Sequence, residues 1–350
     1  MKFNRIRNLV MVSFLVCSFS LISCSDKEVN IKENVEGIKL NKGAVVENID
    51  NTYKNLNLNE GTYEKVKENK VIVFYDYINN NYIFKEDGKF KAFFSGKEIE
   101  LNSLDGSEEG FKLSPKGNYL LFFKNKPIEG TEDIMSYSPH LISLKDGKDI
   151  KLKNSATING TCIDWLSEDE LIYYGVGKDS DNNITNGLFK YNVKEEKDEE
   201  INALTEGIIQ FLKSTDDGVV FLEEKLDNSK DLKLLDTTNN LEITLSDSLD
   251  TIYDVVKTNG RYYVLGSFKG DSLSLYEVTK EGEYHRLIYD FPSVIKKEKG
   301  LSVDESGNVL VIGVNNSENN IECVYICSED GSISKAMGTS KQDCEYIFVE

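Results

Sequence analysis

The chain carries two histidines, His140 and His285, and neither lies at a spacing that serves a metal ion or a nucleophile–base pair. No G-x-S-x-G run places a serine on a strand-to-helix elbow, so that hydrolase signature is missing. The stretch DSDNNITNG, Asp179–Gly187, alternates oxygen donors at Asp179, Asp181, Asn183 and Thr185, as a calcium loop would. An EF-hand loop needs Gly at its sixth position and Glu at its twelfth, where this chain has Ile184 and Lys190, so the stretch reads as a polar hairpin loop. Cys162, Cys323, Cys327 and Cys344 are too sparse for a disulfide scaffold. Cys323 and Cys327 lie four apart in a strand-like run, roughly 13 Å, too far for a bond between them. All four read as buried free thiols. No cofactor or metal ligand set is expected.

The N-terminus holds a more specific chemistry. Lys2, Arg5 and Arg7 precede an uncharged apolar run, Leu9–Ile22, that is short of the roughly 20 residues of a membrane-spanning helix. Residues 1–23 read as a secretory signal peptide. The run ends in Leu21-Ile22-Ser23-Cys24, which resembles the bacterial lipobox. The resemblance implies that the Cys24 thiol takes a diacylglycerol and becomes the mature N-terminus, tying a lipoprotein to the extracytoplasmic face of the cell membrane. Two acyl chains at ~0.8 kcal/mol per buried methylene hold a protein there durably. Cleavage would remove three cations and no acids, taking the net charge from −19 to −22. Such a surface repels nucleic acid. It also repels anionic lipid, so the acyl chains and not charge must supply the attachment. Residues 24–41 read as the lipidated N-terminus and a flexible polar tether, and residues 42–350 as one folded domain.

Chemistry on that domain must be positioned by short strands. A strand, a tight polar turn and a strongly apolar strand recur in VKENKVIVFY (Val66–Tyr75), FKLSPKGNYLLFF (Phe111–Phe123) and CIDWLSEDELIYYG (Cys162–Gly175). They recur again in IQFLKSTDDGVVFL (Ile209–Leu222), YDVVKTNGRYYVLG (Tyr253–Gly266) and LSVDESGNVLVIG (Leu301–Gly313). The turns fall near Asn69, Gly117, Asp169, Asp217, Gly260 and Gly307, in steps of 48, 52, 48, 43 and 47 residues. A third strand and a weaker, charged fourth strand follow each pair. This period with four short strands per unit predicts an all-β fold, a β-propeller of six four-stranded blades. A seventh blade forms if residues 42–65 build strands of their own. The final CEYIFV (Cys344–Val349) is expected to close the ring as the first strand of the unit holding Val71–Tyr75.

LSPKGNYLLFF and SVDESGNVLVIG resemble the repeat of TolB-like and WD-repeat-like propellers, where Ser-Pro-Asp-Gly-Lys precedes an apolar strand. The resemblance covers residues 61–349 and implies the fold, not an activity. Sialidase-like propellers grip a carboxylate with three arginines, whereas Arg261 and Arg286 are the only two here beyond the signal peptide. The aromatic pairs Phe93-Phe94, Phe122-Phe123, Tyr173-Tyr174 and Tyr262-Tyr263, and the single Trp165, sit in strands that must fill inter-blade space, so they read as core.

Two stretches stand out as long loops. Lys124–His140 carries Ile134, Met135 and Tyr137, and Asp290–Gly300 carries Phe291 beside Lys296, Lys297 and Lys299. Apolar residues on long loops can anchor partners. The expectation is therefore a non-enzymatic, membrane-anchored binding or scaffold module of the cell envelope, engaging a protein partner through Ile134, Met135, Tyr137 and Phe291. The alternatives are a propeller-type hydrolase or lyase using acidic residues on the ring face, or an envelope sensor subunit.

Overall fold

The computed structural model describes residues 31–349 except 68–69, 128–134, 155, 179–182, 205–206, 316–320 and 339–343. The described residues form seven antiparallel sheets and a single 3-10 turn. Among them no helix is long and apolar enough to cross a membrane. Each sheet is a blade of four strands. Blade 2 gains a fifth, outermost strand, Ile31–Glu33, paired with Lys97–Glu100. The ring is therefore seven-bladed, and residues 45–65 supply three strands of the additional blade.

Alternation along the second strand of each blade explains the ring. In blade 4, Leu171 and Tyr173 pack into a cluster shared with blade 3, while Ile172 and Tyr174 pack into one shared with blade 5. Successive side chains point to opposite faces of a strand, so a strand apolar on both faces requires a neighbouring sheet on each side. Seven such clusters follow one another around the molecule, the last joining blade 7 to blade 1. Most of the aromatic pairs are core as expected: Phe93, Phe122, Phe123, Tyr173, Tyr174, Tyr262 and Tyr263 are buried, and Phe94 is half-buried. Trp165 ends the innermost strand of blade 4, stacks on Tyr119 and donates Nε1–H to the Lys112 carbonyl.

The ring closes at a different place from the one the repeats suggest. Glu345–Phe348 is the innermost strand of blade 1 and pairs with Val45–Ile49, placing Tyr346 opposite Glu47. The Tyr346 hydroxyl bonds Glu47 Oε1 at 3.1 Å, and its amide bonds Glu322 Oε2 of blade 7 at 3.1 Å. Val71–Asp76 is itself the innermost strand of blade 2, so the first repeat was phased one strand late. Its link to the C-terminal segment is a single bond from the Tyr75 amide to the Val349 carbonyl. The later turns hold their expected place between first and second strands. Gly117, for example, sits at φ +71°, a left-handed conformation that a side chain disfavours.

The tether is shorter than the composition implies. Ile31–Glu33 is paired, Ile38 and Leu40 are buried, and their amides bond Tyr82 and Tyr75 hydroxyls at 3.0 and 3.2 Å. Residues 1–30, Cys24 among them, lie outside the described residues.

Candidate functional site

The innermost strands surround a central funnel of about 1060 Å³, open on the face of the turns between first and second strands. Its wall is divided. Phe74 of blade 2, Phe111 and Leu113 of blade 3, Phe348 of blade 1 and Leu301 of blade 7 give an apolar side, with Ile78 at the mouth. Blades 3 to 6 give a charged side, with one charge each from Lys112, Asp164, Lys213 and Asp254.

These four residues form two lysine–aspartate pairs that also lace the blades together. Lys112 Nζ lies 3.5 Å from Asp164 Oδ1 and donates to the Ile163 carbonyl at 2.9 Å. Asp164 accepts from the Trp165 amide at 2.9 Å and from the Ser214 amide of blade 5 at 2.8 Å. Lys213 Nζ lies 2.6 Å from Asp254 Oδ1. Asp254 accepts from the Val255 amide and from the Leu301 amide of blade 7, both at 2.8 Å. Register shifts in all four of these innermost strands, between Glu109 and Lys112, Ile158 and Ile163, Ile209 and Phe211, and Ile252 and Asp254, mark irregularities that re-aim the neighbouring side chains. Gly300, at φ +69°, leaves the room Asp254 occupies: a Cβ there would lie 2.8 Å from Oδ2.

A second charged cluster stands at the mouth. Lys257 Nζ reaches Asp216 at 2.7 Å and Asp217 at 2.9 Å, and Asp217 also takes Lys280 at 2.9 Å and the Tyr262 hydroxyl at 2.8 Å. The Lys257 hydrogen bond, helped by Lys280 and Tyr262, holds the Asp217 carboxyl well below the usual carboxylate range. Among the described residues no group of three or more His, Cys, Asp or Glu is arranged to hold a metal ion. The four cysteines are free and buried, as expected, and burial pushes the Cys162 thiol up to about 11 and the Cys327 thiol up to about 12. Asp179 and Asp181 lie outside the described residues, and Thr185 belongs to a strand and bonds Glu200.

Of the residues expected to meet a partner, Tyr137 and Phe291 do not come together. The stretch Lys124–His140 is mostly a lengthened hairpin, with strands Tyr119–Pro127 and Met135–Ser143. Tyr137 is a strand residue opposite Asn125 and is 37% exposed. Ile134 and the side chain of Met135 lie outside what is described. Phe291 packs edge-on against Tyr325 at the junction of blades 6 and 7. Three blades separate it from Tyr137 in either direction around the ring. Asp290–Gly300 is not a surface loop throughout: Val294–Ile295 joins the innermost part of blade 7, and Lys297–Lys299 forms the 3-10 turn.

Sequence reasoning missed Lys112, Asp164, Lys213 and Asp254. Their signal was a charge inside an otherwise apolar first strand, four to six residues before the turn position of each repeat.

No protein-family model matches the chain, and no curated protein is similar to it in sequence. Solved structures are similar in fold. An oligogalacturonate lyase from Vibrio parahaemolyticus matches at TM-score 0.50 and 13% identity, over 89% of this chain and 88% of that one. A puromycin hydrolase matches at TM-score 0.55 and 11% identity, and an acylaminoacyl peptidase from Pyrococcus horikoshii at 0.54 and 13%. These cover 88% and 90% of this chain, which spans about half, 53%, of each of those two proteins. The neighbours are enzymes, which overturns the expectation of a non-enzymatic scaffold and backs the hydrolase-or-lyase alternative in its place. At these identities the likeness itself establishes the architecture: a seven-bladed β-propeller.

Proposed function

We propose that the protein is a propeller-type hydrolase or lyase whose reaction takes place in the central funnel. The observation that carries this reading is the pairing of Asp164 with Lys112 and of Asp254 with Lys213 on one wall of the central funnel. A carboxylate can be the base that draws a proton from water in hydrolysis, or from carbon beside a carbonyl in β-elimination. A neighbouring cation can stabilise the oxyanion that forms in either reaction. Asp254 and Asp164 would take the first role, Lys213 and Lys112 the second. The solved enzymes of similar fold support the enzymatic reading and not the individual residue roles: the lyase is matched over most of its length, the hydrolases over half of theirs.

The leader supports a location. The charged start, apolar run and Leu21-Ile22-Ser23-Cys24 fit a lipoprotein anchored through Cys24 at the extracytoplasmic face of a membrane. The finer kinship to TolB-like repeats rests on LSPKGNYLLFF and SVDESGNVLVIG.

The test is turnover of a panel by the purified full chain: oligogalacturonates, neutral oligosaccharides, chromogenic peptides and esters. Asp254→Asn and Asp164→Asn should each lose about 10²-fold or more of the rate found. A panel with no turnover, or wild-type rates in both folded variants, would refute the enzymatic reading.

A further inference from the structure

The funnel has a floor and a side exit, and the two differ in charge. The floor comes from an interruption in the innermost strand of blade 7. Between Val294–Ile295 and Leu301–Val303 the chain makes the 3-10 turn Lys297–Lys299, which packs against the innermost strands of blades 6 and 1. Lys296 pairs with Glu322 at 3.4 Å, and Lys297 bonds the Tyr253 hydroxyl at 2.9 Å above its ring. Lys299 is half-buried, lines the funnel and has no side-chain partner among the described residues. Lys112, Lys213 and Lys257, on the same wall, are each held by a carboxylate.

The side exit lies at the seam between blades 7 and 1. Six blades join first and second strands by a covalent turn. Blade 1 cannot, because its innermost strand comes from the other end of the chain. There a groove of about 810 Å³ shares Lys42, Asp304, Glu305 and Ser306 with the funnel, so the two adjoin. The groove is bordered by Glu60, Glu64, Asp304 and Glu305, with exposed Met337 beside them. In a chain of net charge −19, this lip repels a uniformly anionic polymer.

We infer that the ligand of the funnel is an extended chain with a single terminal carboxylate, which Lys299 receives at the floor. An apolar ring face next to that terminus packs on Phe74 and Phe348, and an uncharged or cationic remainder leaves along the blade 7–blade 1 groove. An ammonium without a counter-ion in a partly enclosed site gains from a charge-assisted bond, whereas the paired lysines would exchange one carboxylate for another. The inference rests on the funnel being the working site, and it adds the class of substrate. A terminal carboxylate on an otherwise uncharged chain occurs in peptides and in sugars that end in a uronic acid.

Calorimetric binding to the full chain tests it with two probe pairs: acetyl-phenylalanyl-glycine against its amide, and a neutral disaccharide ending in a uronic acid against its methyl ester. The free acid of one pair should bind about tenfold or more tightly than its uncharged partner, and the pair that responds identifies the source. Lys299→Gln should abolish that preference, and Lys42→Gln, at the rim, should keep it. Equal binding of acid and neutral probe in both pairs, or a preference that survives Lys299→Gln or vanishes in Lys42→Gln, overturns the inference. A preference for acid in a protein that turns over nothing sinks the enzymatic proposal alone. Turnover without any preference for acid sinks this inference alone.

Discussion

Asp254 connects the fold to the proposed chemistry, and its replacement by Asn separates the two. The carboxylate serves three donors: Lys213 Nζ at 2.6 Å, and the Val255 and Leu301 amides at 2.8 Å. An Asn keeps one acceptor oxygen and turns an NH₂ group toward one of the donors. If Oδ1 stays with Lys213 and Val255, the Leu301 amide of the next blade loses its acceptor. A hydrogen bond to a charged group is worth about 1.5–3 kcal/mol. The lost ion pair adds at most about 1 kcal/mol, because Lys213 is 35% exposed and solvent screens it. The expected destabilisation is about 2–3 kcal/mol, a melting shift of about 4 °C for a domain of about 320 residues. Activity on whatever substrate the panel yields should fall by about 10²-fold or more. Gly300→Ala is the companion. Its Cβ would meet Oδ2 at 2.8 Å, and the backbone at φ +69° and ψ −159° lies in a region essentially confined to glycine, a cost of about 1–3 kcal/mol, so it should melt early while retaining the acid. Scanning calorimetry beside a rate assay reads both effects. An unchanged melting temperature in Asp254→Asn refutes the inter-blade role, and equal rate losses in Asp254→Asn and Gly300→Ala refute a chemical role distinct from the structural one.

Three other outcomes are expected. Asp217 is held below the usual carboxylate range by Lys257, Lys280 and Tyr262, so its contribution to stability is complete above the unfolded carboxylate pKa near ~4 and fades as pH falls below it. Asp217→Asn should lower the melting temperature at pH 7 more than at pH 3, and an equal loss at both would refute the linkage. Deleting residues 344–350 removes the innermost strand of blade 1, Tyr346 included, and uncovers the cluster it packs into between blades 7 and 1. Cooperative unfolding in urea should then be lost, and an unchanged transition would show that the ring closes without that strand. Cys24→Ser should release the protein from membranes or leave its leader uncut, and normal processing with full retention in the membrane fraction would disprove lipidation.

Strand content and repeat period were legible because both are local. A second strand such as Leu171–Tyr174 is apolar on both faces, and only a sheet with neighbours on each side satisfies it. Blade number and phase were harder. Val71–Asp76 looks like a second strand because it is apolar and follows a polar stretch, yet it lines the channel. The decision came from Glu345–Phe348, which pairs with Val45–Ile49 across almost the whole chain and so makes blade 1 complete. Length and polarity marked Lys124–His140 as a loop, whereas cross-strand pairing from Tyr119–Ser143 to Pro127–Met135 makes most of it hairpin.

The sequence by itself determined an all-β chain of repeating four-stranded units, a strongly acidic composition and buried thiols. Each follows from composition or from periods of a few residues to about fifty. Only the tertiary structure decided that Lys112, Asp164, Lys213 and Asp254, spaced across more than one hundred and forty residues, share one wall, and that Lys299 stands with them. The physical reason is ring closure. Each innermost strand lines the channel, and residues a full blade apart in sequence become neighbours once the last strand pairs with the first sheet.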